Sequence, residues 1–171
     1  MQHIMIVGRN GVGKSTLIRE ILKAVPLPVS GVITKKEAPR EDGFCPVYIH
    51  VYGEPRQYSE QNLVGVCREG QSIAYPAAFD SFCARMQFRY DGAIVFDELG
   101  FLESGAPRFT EAVLKTLDDA PFCICAVRDR QTAFLNAVRS HPRARVFLIT
   151  EETRDALRNE VLQFLAEQFR S

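Results

Sequence analysis

Eight consecutive residues, Gly8-Arg9-Asn10-Gly11-Val12-Gly13-Lys14-Ser15, satisfy the pattern G-x-x-x-x-G-K-S in full, and Thr16 follows them. An apolar run, residues 3–7, leads into the first glycine. Helical spacing through Leu17, Ile18, Ile21 and Leu22 leads out of the last. Strand, glycine-rich turn and helix in that order let the backbone curl with its N–H groups pointing inward, because glycine has no Cβ in the way. The helix adds unpaired N–H groups and its positive dipole end. A glycine-rich turn matching by chance would lack the flanking strand and helix. The segment therefore predicts a cradle for a nucleoside triphosphate such as ATP or GTP. Lys14 is expected at the β- and γ-phosphates, the Ser15 hydroxyl on a magnesium ion, and Thr16 near the α-phosphate.

The rest of the chain alternates strand and helix, with no internal repeat or linker. Residues 29–34 and 44–52 read as β-runs, and Asp42-Gly43 between them as a hairpin turn. Pro26 and Pro28 end the first helix. Residues 53–70 are harder to read, with a turn at Glu54-Pro55 and one short strand near 63–67. Helices are expected over 76–90, 108–117, 131–140 and 153–169, and strands over 93–96, 122–127 and 146–149. Strands separated by helices imply parallel crossovers and a sheet covered on both faces. The expectation is an α/β three-layer sandwich, residues 1–171 as one domain, with antiparallel strands added at an edge.

A second site element is Ala93-Ile94-Val95-Phe96-Asp97-Glu98. An apolar strand ending in acids puts carboxylates at the edge of the sheet where nucleotides bind. Two adjacent acids there also fit a plain solvated strand end. With a complete phosphate cradle upstream, however, magnesium needs a second anchor, and no other strand offers one so well. Asp97 is expected to hold the metal through a water, and Glu98 to act as general base on an attacking water.

Twenty-one acidic and 21 basic residues cancel, which argues against a nucleic-acid partner or an anionic lipid surface. No apolar run approaches the roughly 20 residues a bilayer span needs. The five cysteines, Cys45, Cys67, Cys83, Cys123 and Cys125, are odd in number and scattered through apolar segments. That favours reduced, mostly buried thiols in a cytoplasmic protein rather than zinc or redox work. A monomer is the expected state.

Three further stretches resemble the nucleoside-triphosphatases first described from thermophiles, also called cancer-related nucleoside-triphosphatases. Gly31-Val32-Ile33-Thr34, with Arg40 and Gly43-Phe44, is similar to that family's G-F-x-T followed by R-x-x-G-F. Asp97-Glu98-Leu99-Gly100-Phe101-Leu102-Glu103 resembles its D-E-I-G-K-M-E, and Thr150-Glu151-Glu152-Thr153-Arg154-Asp155 its T-x-x-N-R-D. The resemblance implies a RecA-like P-loop NTPase core with an additional strand and a catalytic glutamate. It also implies hydrolysis of ATP, GTP and other triphosphates with little base selectivity. Phe101 stands where the family carries lysine, removing a cation near the hydrolytic acid, and Thr153 replaces asparagine.

Arg40, Arg128, Arg130 and Arg154 are candidates for contacting phosphate or base. Arg128 follows a strand at the functional edge, and Arg154 opens the last helix. Glu103 is a candidate assistant to Glu98. Two other functions share the cradle: a small-molecule or nucleotide kinase, which needs an acceptor pocket and usually an arginine-bearing lid, and a nucleotide-gated binding module without turnover.

Overall fold

The computed structural model describes residues 1–170. Its eight strands are β1 (His3–Gly8), β2 (Val29–Lys36), β3 (Cys45–Val51), β4 (Leu63–Arg68), β5 (Gln71–Ala74), β6 (Ala93–Leu99), β7 (Phe122–Arg128) and β8 (Ala144–Leu148). They form one sheet in the order β5-β4-β3-β2-β6-β7-β1-β8. The pairings β2–β6, β6–β7, β7–β1 and β1–β8 are parallel. Those from β2 out to β5 are antiparallel. The five helices are α1 (Lys14–Ala24), α2 (Pro76–Phe82), α3 (Pro107–Asp119), α4 (Ala133–Arg139) and α5 (Arg154–Gln168). No helix among the described residues is long and apolar enough to cross a membrane.

Successive strand residues point to opposite faces, and both faces of the parallel half are apolar. Ile4, Ile6, Val95, Ile124 and Ala126 pack with Leu17, Ile18 and Ile21 of α1 and with Leu157, Val161 and Leu165 of α5. Met5, Val7, Ile94, Phe96, Cys123 and Cys125 pack with the opposite layer, through Phe79 of α2, Phe109 and Val113 of α3, and Leu135 of α4. This is the three-layer α/β sandwich expected from the alternation. Each valine, leucine, isoleucine, methionine or phenylalanine among them, fully buried, contributes about 1.5–3 kcal/mol. The phenylalanines of the last helical segment are core residues: Phe164 packs on Phe147 and Phe169 on Phe122. Cys123 and Cys125 are buried free thiols, and burial pushes the Cys123 thiol up to about 12. Cys45, Cys67 and Cys83 are only half-buried.

Most element ends shift by one or two residues, and three differences go further. The helix expected to run to residue 90 ends at Phe82 and passes through a 3-10 turn, Cys83–Arg85. Phe88 leaves the helical path and packs edge-on to Phe96, 6.0 Å between ring centroids. β5 was not expected; Gln71, Ser72 and Ile73 are exposed and carry no apolar alternation, and pairing with β4 is what makes them a strand. β6 continues to Leu99 because its pairing with β7 persists past the two acids.

Candidate active site

The cradle hangs between β1 and α1. Gly8 closes β1 against residue 149, where a Cβ would sit 2.7 Å from the Ile149 side chain and carbonyl. Gly11 and Gly13 have φ of 78° and 104°, left-handed conformations that glycine adopts without steric cost. Gly13 caps α1 without any side-chain acceptor, so the first N–H groups of that helix face the cradle uncapped by side chains. Val12 is buried under the loop, and Arg9 and Thr16 are exposed at its rim. Lys14 is 3% exposed; its ammonium donates to the carbonyls of Gly8 (3.0 Å) and Arg9 (2.6 Å).

The carboxylates arrive from β6. In its ladder with β7, Asp97 pairs with Ala126 and Leu99 with Val127, which leaves Glu98 as an extra residue in a bulge. A bulge re-aims side chains, and here both acids reach the first residues of α1, Asp97 at Ser15 and Glu98 at Lys14. Asp97 accepts a hydrogen bond from the Ser15 hydroxyl at 2.8 Å. Burial raises the Asp97 carboxyl above its usual range, the Ser15 bond opposes that, the Glu98 charge adds to it, and Lys14 and Arg19 oppose it.

Glu98 lies between two cations. Its Oε2 is 2.9 Å from the Lys14 ammonium. Its Oε1 accepts from Nε and Nη2 of Arg128 at 2.9 and 2.7 Å. Arg128 is the last residue of β7 and pairs in register with Gly8, which brings it to the cradle; its Nη2 also donates to Asn10 Oδ1 at 3.3 Å. One carboxylate thus ties β6, β7 and the phosphate loop together.

Beyond Glu98 the chain turns through Gly100 and Phe101. Glu103, 2% exposed, accepts the Gly100 N–H at 3.1 Å. Burial, helped by the charge of Glu98, pushes its carboxyl up to about 7. The Phe101 ring carries the guanidinium of Arg130 at 4.5 Å and that of Arg128 at 5.9 Å. Ser15, Glu98, Phe101, Glu103 and Arg128 line one cavity of about 230 Å³. A second, of about 320 Å³, shares Ser15 with it and also meets Asp97, Arg19, Tyr52 and Arg56.

The structure therefore gathers Asn10, Lys14, Ser15, Asp97, Glu98 and Arg128, all expected from the sequence. Thr16 accepts a hydrogen bond from Arg19 at 3.2 Å. Arg40 donates to the Tyr48 hydroxyl at 3.4 Å on the antiparallel half, outside this group. Arg154 opens α5, exposed, and is not part of the Glu98 cluster. Sequence reasoning missed the role of Arg128 as the partner of Glu98, and the pairing of Arg130 with Phe101. The signals available were the place of Arg128 after a strand at the functional edge and the phenylalanine standing where a lysine was expected.

A family model described as NTPase matches residues 3–162, from the first strand into the last helix. The chain belongs to this NTPase family. Membership makes it an enzyme that hydrolyses nucleoside triphosphates. A nucleoside-triphosphatase THEP1 from Thermotoga petrophila is 28% identical over 167 residues, 95% of this chain and 92% of that protein. A cancer-related nucleoside-triphosphatase homolog from Mus musculus is 25% identical over 181 residues, 94% and 95% of the two chains. The crystal structure of THEP1 from the hyperthermophile Aquifex aeolicus shares the fold, with a TM-score of 0.62 at 19% identity, covering 95% of this chain and 98% of the other. In this NTPase the strand β7, lying between β1 and β6, is the additional strand that the resemblance implied.

Proposed function

We propose that the chain hydrolyses ATP, GTP and other nucleoside triphosphates with magnesium, using Glu98 as general base. The observation that carries this reading is the division of the two Glu98 oxygens between Lys14 and Arg128. Triphosphate in the cradle offers Lys14 a stronger anionic partner, and Oε2 is then free to accept a proton from water. Oε1 stays on Arg128, so the carboxylate keeps its aim while it works. The water oxygen bonds to the γ-phosphorus, and the bond from that phosphorus to the bridging oxygen breaks toward the β-phosphate. Thr16 serves the α-phosphate, and Arg154 serves the base side.

Ser15 and Asp97 fit a magnesium ion by their chemistry: two hard oxygen donors side by side, one a carboxylate whose burial leaves it short of positive charge. Bound there, the ion would neutralise charge on the phosphate oxygens. The reading extends to one cytoplasmic domain, 1–171, that needs neither nucleic acid nor membrane; its five free thiols suit that compartment.

One observation favours a second reading, phosphoryl transfer to an acceptor. The 320 Å³ cavity beside Ser15 and Asp97 places Arg19, Lys35 and Arg56 around an apolar floor of Ile18, Ile33 and Val95. A panel of ATP, GTP, CTP and UTP with magnesium, scored for free phosphate with and without hydroxyl acceptors, tests both. Hydrolysis predicts phosphate from every triphosphate, abolished by chelation. Phosphate that appears only as a phosphorylated acceptor would replace it with transfer, and intact nucleotide throughout would leave a binding module.

A further inference from the structure

The two arginines on Phe101 are not equivalent. Arg128 is committed: it holds Glu98 through two nitrogens and Asn10 through one, and its departure would leave the Glu98 charge without its clamp. Arg130 is exposed, and among the described residues its guanidinium has no ion pair and no side-chain hydrogen bond; it rests on the ring. Its backbone is held on both sides, the N–H donating to the Arg128 carbonyl at 2.9 Å and the carbonyl accepting from Arg139 at 2.8 Å. A fixed backbone thus carries a guanidinium whose five donors are all unspent. An exposed cation–π contact is weak enough to release it when a stronger anion comes within reach. The ring it rests on lines the cavity that holds Glu98.

We propose that Arg130, held ready over Phe101, is the cation that meets the charge developing on the transferred phosphoryl group, acting from the end of β7 as a lysine at position 101 would act from the end of β6. The inference rests on the hydrolytic reading of Glu98. Lys14 is assigned to the β- and γ-phosphates and Arg128 to the base; Lys35 and Lys36 reach the same cavity from β2, and Arg130 reaches its edge over the Phe101 ring, on the side of Arg128. The guanidinium exchanges no proton; the water proton goes to Glu98, and the electron pair of the breaking bond goes to the β-phosphate. Its contribution is electrostatic and grows as charge shifts in the transition state.

The test compares wild type, Arg130→Ala and the double variant Phe101→Lys with Arg130→Ala. Three quantities are measured: turnover, affinity for a non-hydrolysable triphosphate, and affinity for a nucleoside diphosphate with aluminium fluoride, a mimic of the transition state. Arg130→Ala should lower turnover at least ~10-fold, below the range of a fully enclosed arginine because this one is exposed. It should weaken the fluoroaluminate complex by a similar factor and leave triphosphate affinity close to wild type. Phe101→Lys should restore most of both losses. Wild-type turnover in Arg130→Ala, or a loss matched in triphosphate binding, overturns the proposal. A double variant no better than Arg130→Ala overturns the equivalence of the two cations. Should wild type itself release no phosphate, the hydrolytic reading fails first, and equal fluoroaluminate binding by wild type and Arg130→Ala still rejects Arg130.

Discussion

The Lys14 ammonium lies 2.9 Å from a carboxylate oxygen of Glu98, so the proposed phosphate-binding cation and the proposed base hold one another. Glu98→Gln keeps the shape and loses the charge. Turnover should fall by roughly 10²–10⁴-fold, the usual worth of a positioned base. Triphosphate affinity should stay at or above wild type, because the amide competes less for Lys14. Steady-state phosphate release and titration calorimetry measure the two; a variant as fast as wild type removes Glu98 from the mechanism.

Lys14→Ala should behave oppositely, losing affinity before chemistry. The expected drop is at least ~10-fold, or about 1.4 kcal/mol. Thermal melting of the same sample shows that the fold survives, and unchanged affinity in a folded variant would reject the cradle as the triphosphate site.

Magnesium dependence should follow the Ser15–Asp97 pair. Asp97→Asn preserves a hydrogen-bond partner for Ser15 but removes the charge a divalent ion needs. The magnesium concentration that gives half-maximal turnover should rise, with nucleotide affinity in chelator unchanged. A metal requirement identical to wild type would place the ion elsewhere.

Two buried groups should tilt stability with pH in opposite directions. Burial raises Glu103 from 4.5 to about 7, so between those values the unfolded chain has released a proton that the folded chain keeps; stability is full below about 4.5 and is lost as pH rises through 7. Burial lowers His3 from 6.5 to about 4, opposed by its bond to the Leu117 carbonyl and assisted by Arg143; stability is full above 6.5 and is lost as pH falls through 4. In the shared window the slopes offset each other. Glu103→Gln should therefore make the melting temperature rise with pH between about 5 and 6.5, and His3→Asn should make it fall relative to wild type. Parallel curves for the three proteins would show that neither group titrates as its burial implies.

The glycine-rich turn between β1 and α1 was legible because the chemistry expected of it demands fixed spacing over eight adjacent residues, and local spacing is what a sequence displays directly. Asp97 and Glu98 were legible for the same reason, as acids ending an apolar strand. Arg128 was visible only as one arginine among several, since its pairing with Glu98 depends on β7 lying beside both β1 and β6. The burial of Glu103 depends on how the turn after β6 packs, and no local pattern encodes that. Phe101 read as a missing cation, whereas the structure shows a ring that collects two guanidinium groups from 27 and 29 residues further along the chain.

The placement of β7 between β1 and β6 has a consequence for how the protein is made. Both signature segments, residues 8–15 and 93–98, leave the ribosome before residue 122, yet neither strand touches the other in the finished sheet. Within the sheet their strands are joined through a strand synthesised after both, and that strand brings Arg128 with it. A nascent chain stopped short of β7 carries every residue of both motifs with an unfilled gap between them. Full competence to bind is therefore expected to arise late, as residues 122–128 enter the sheet between the two motifs.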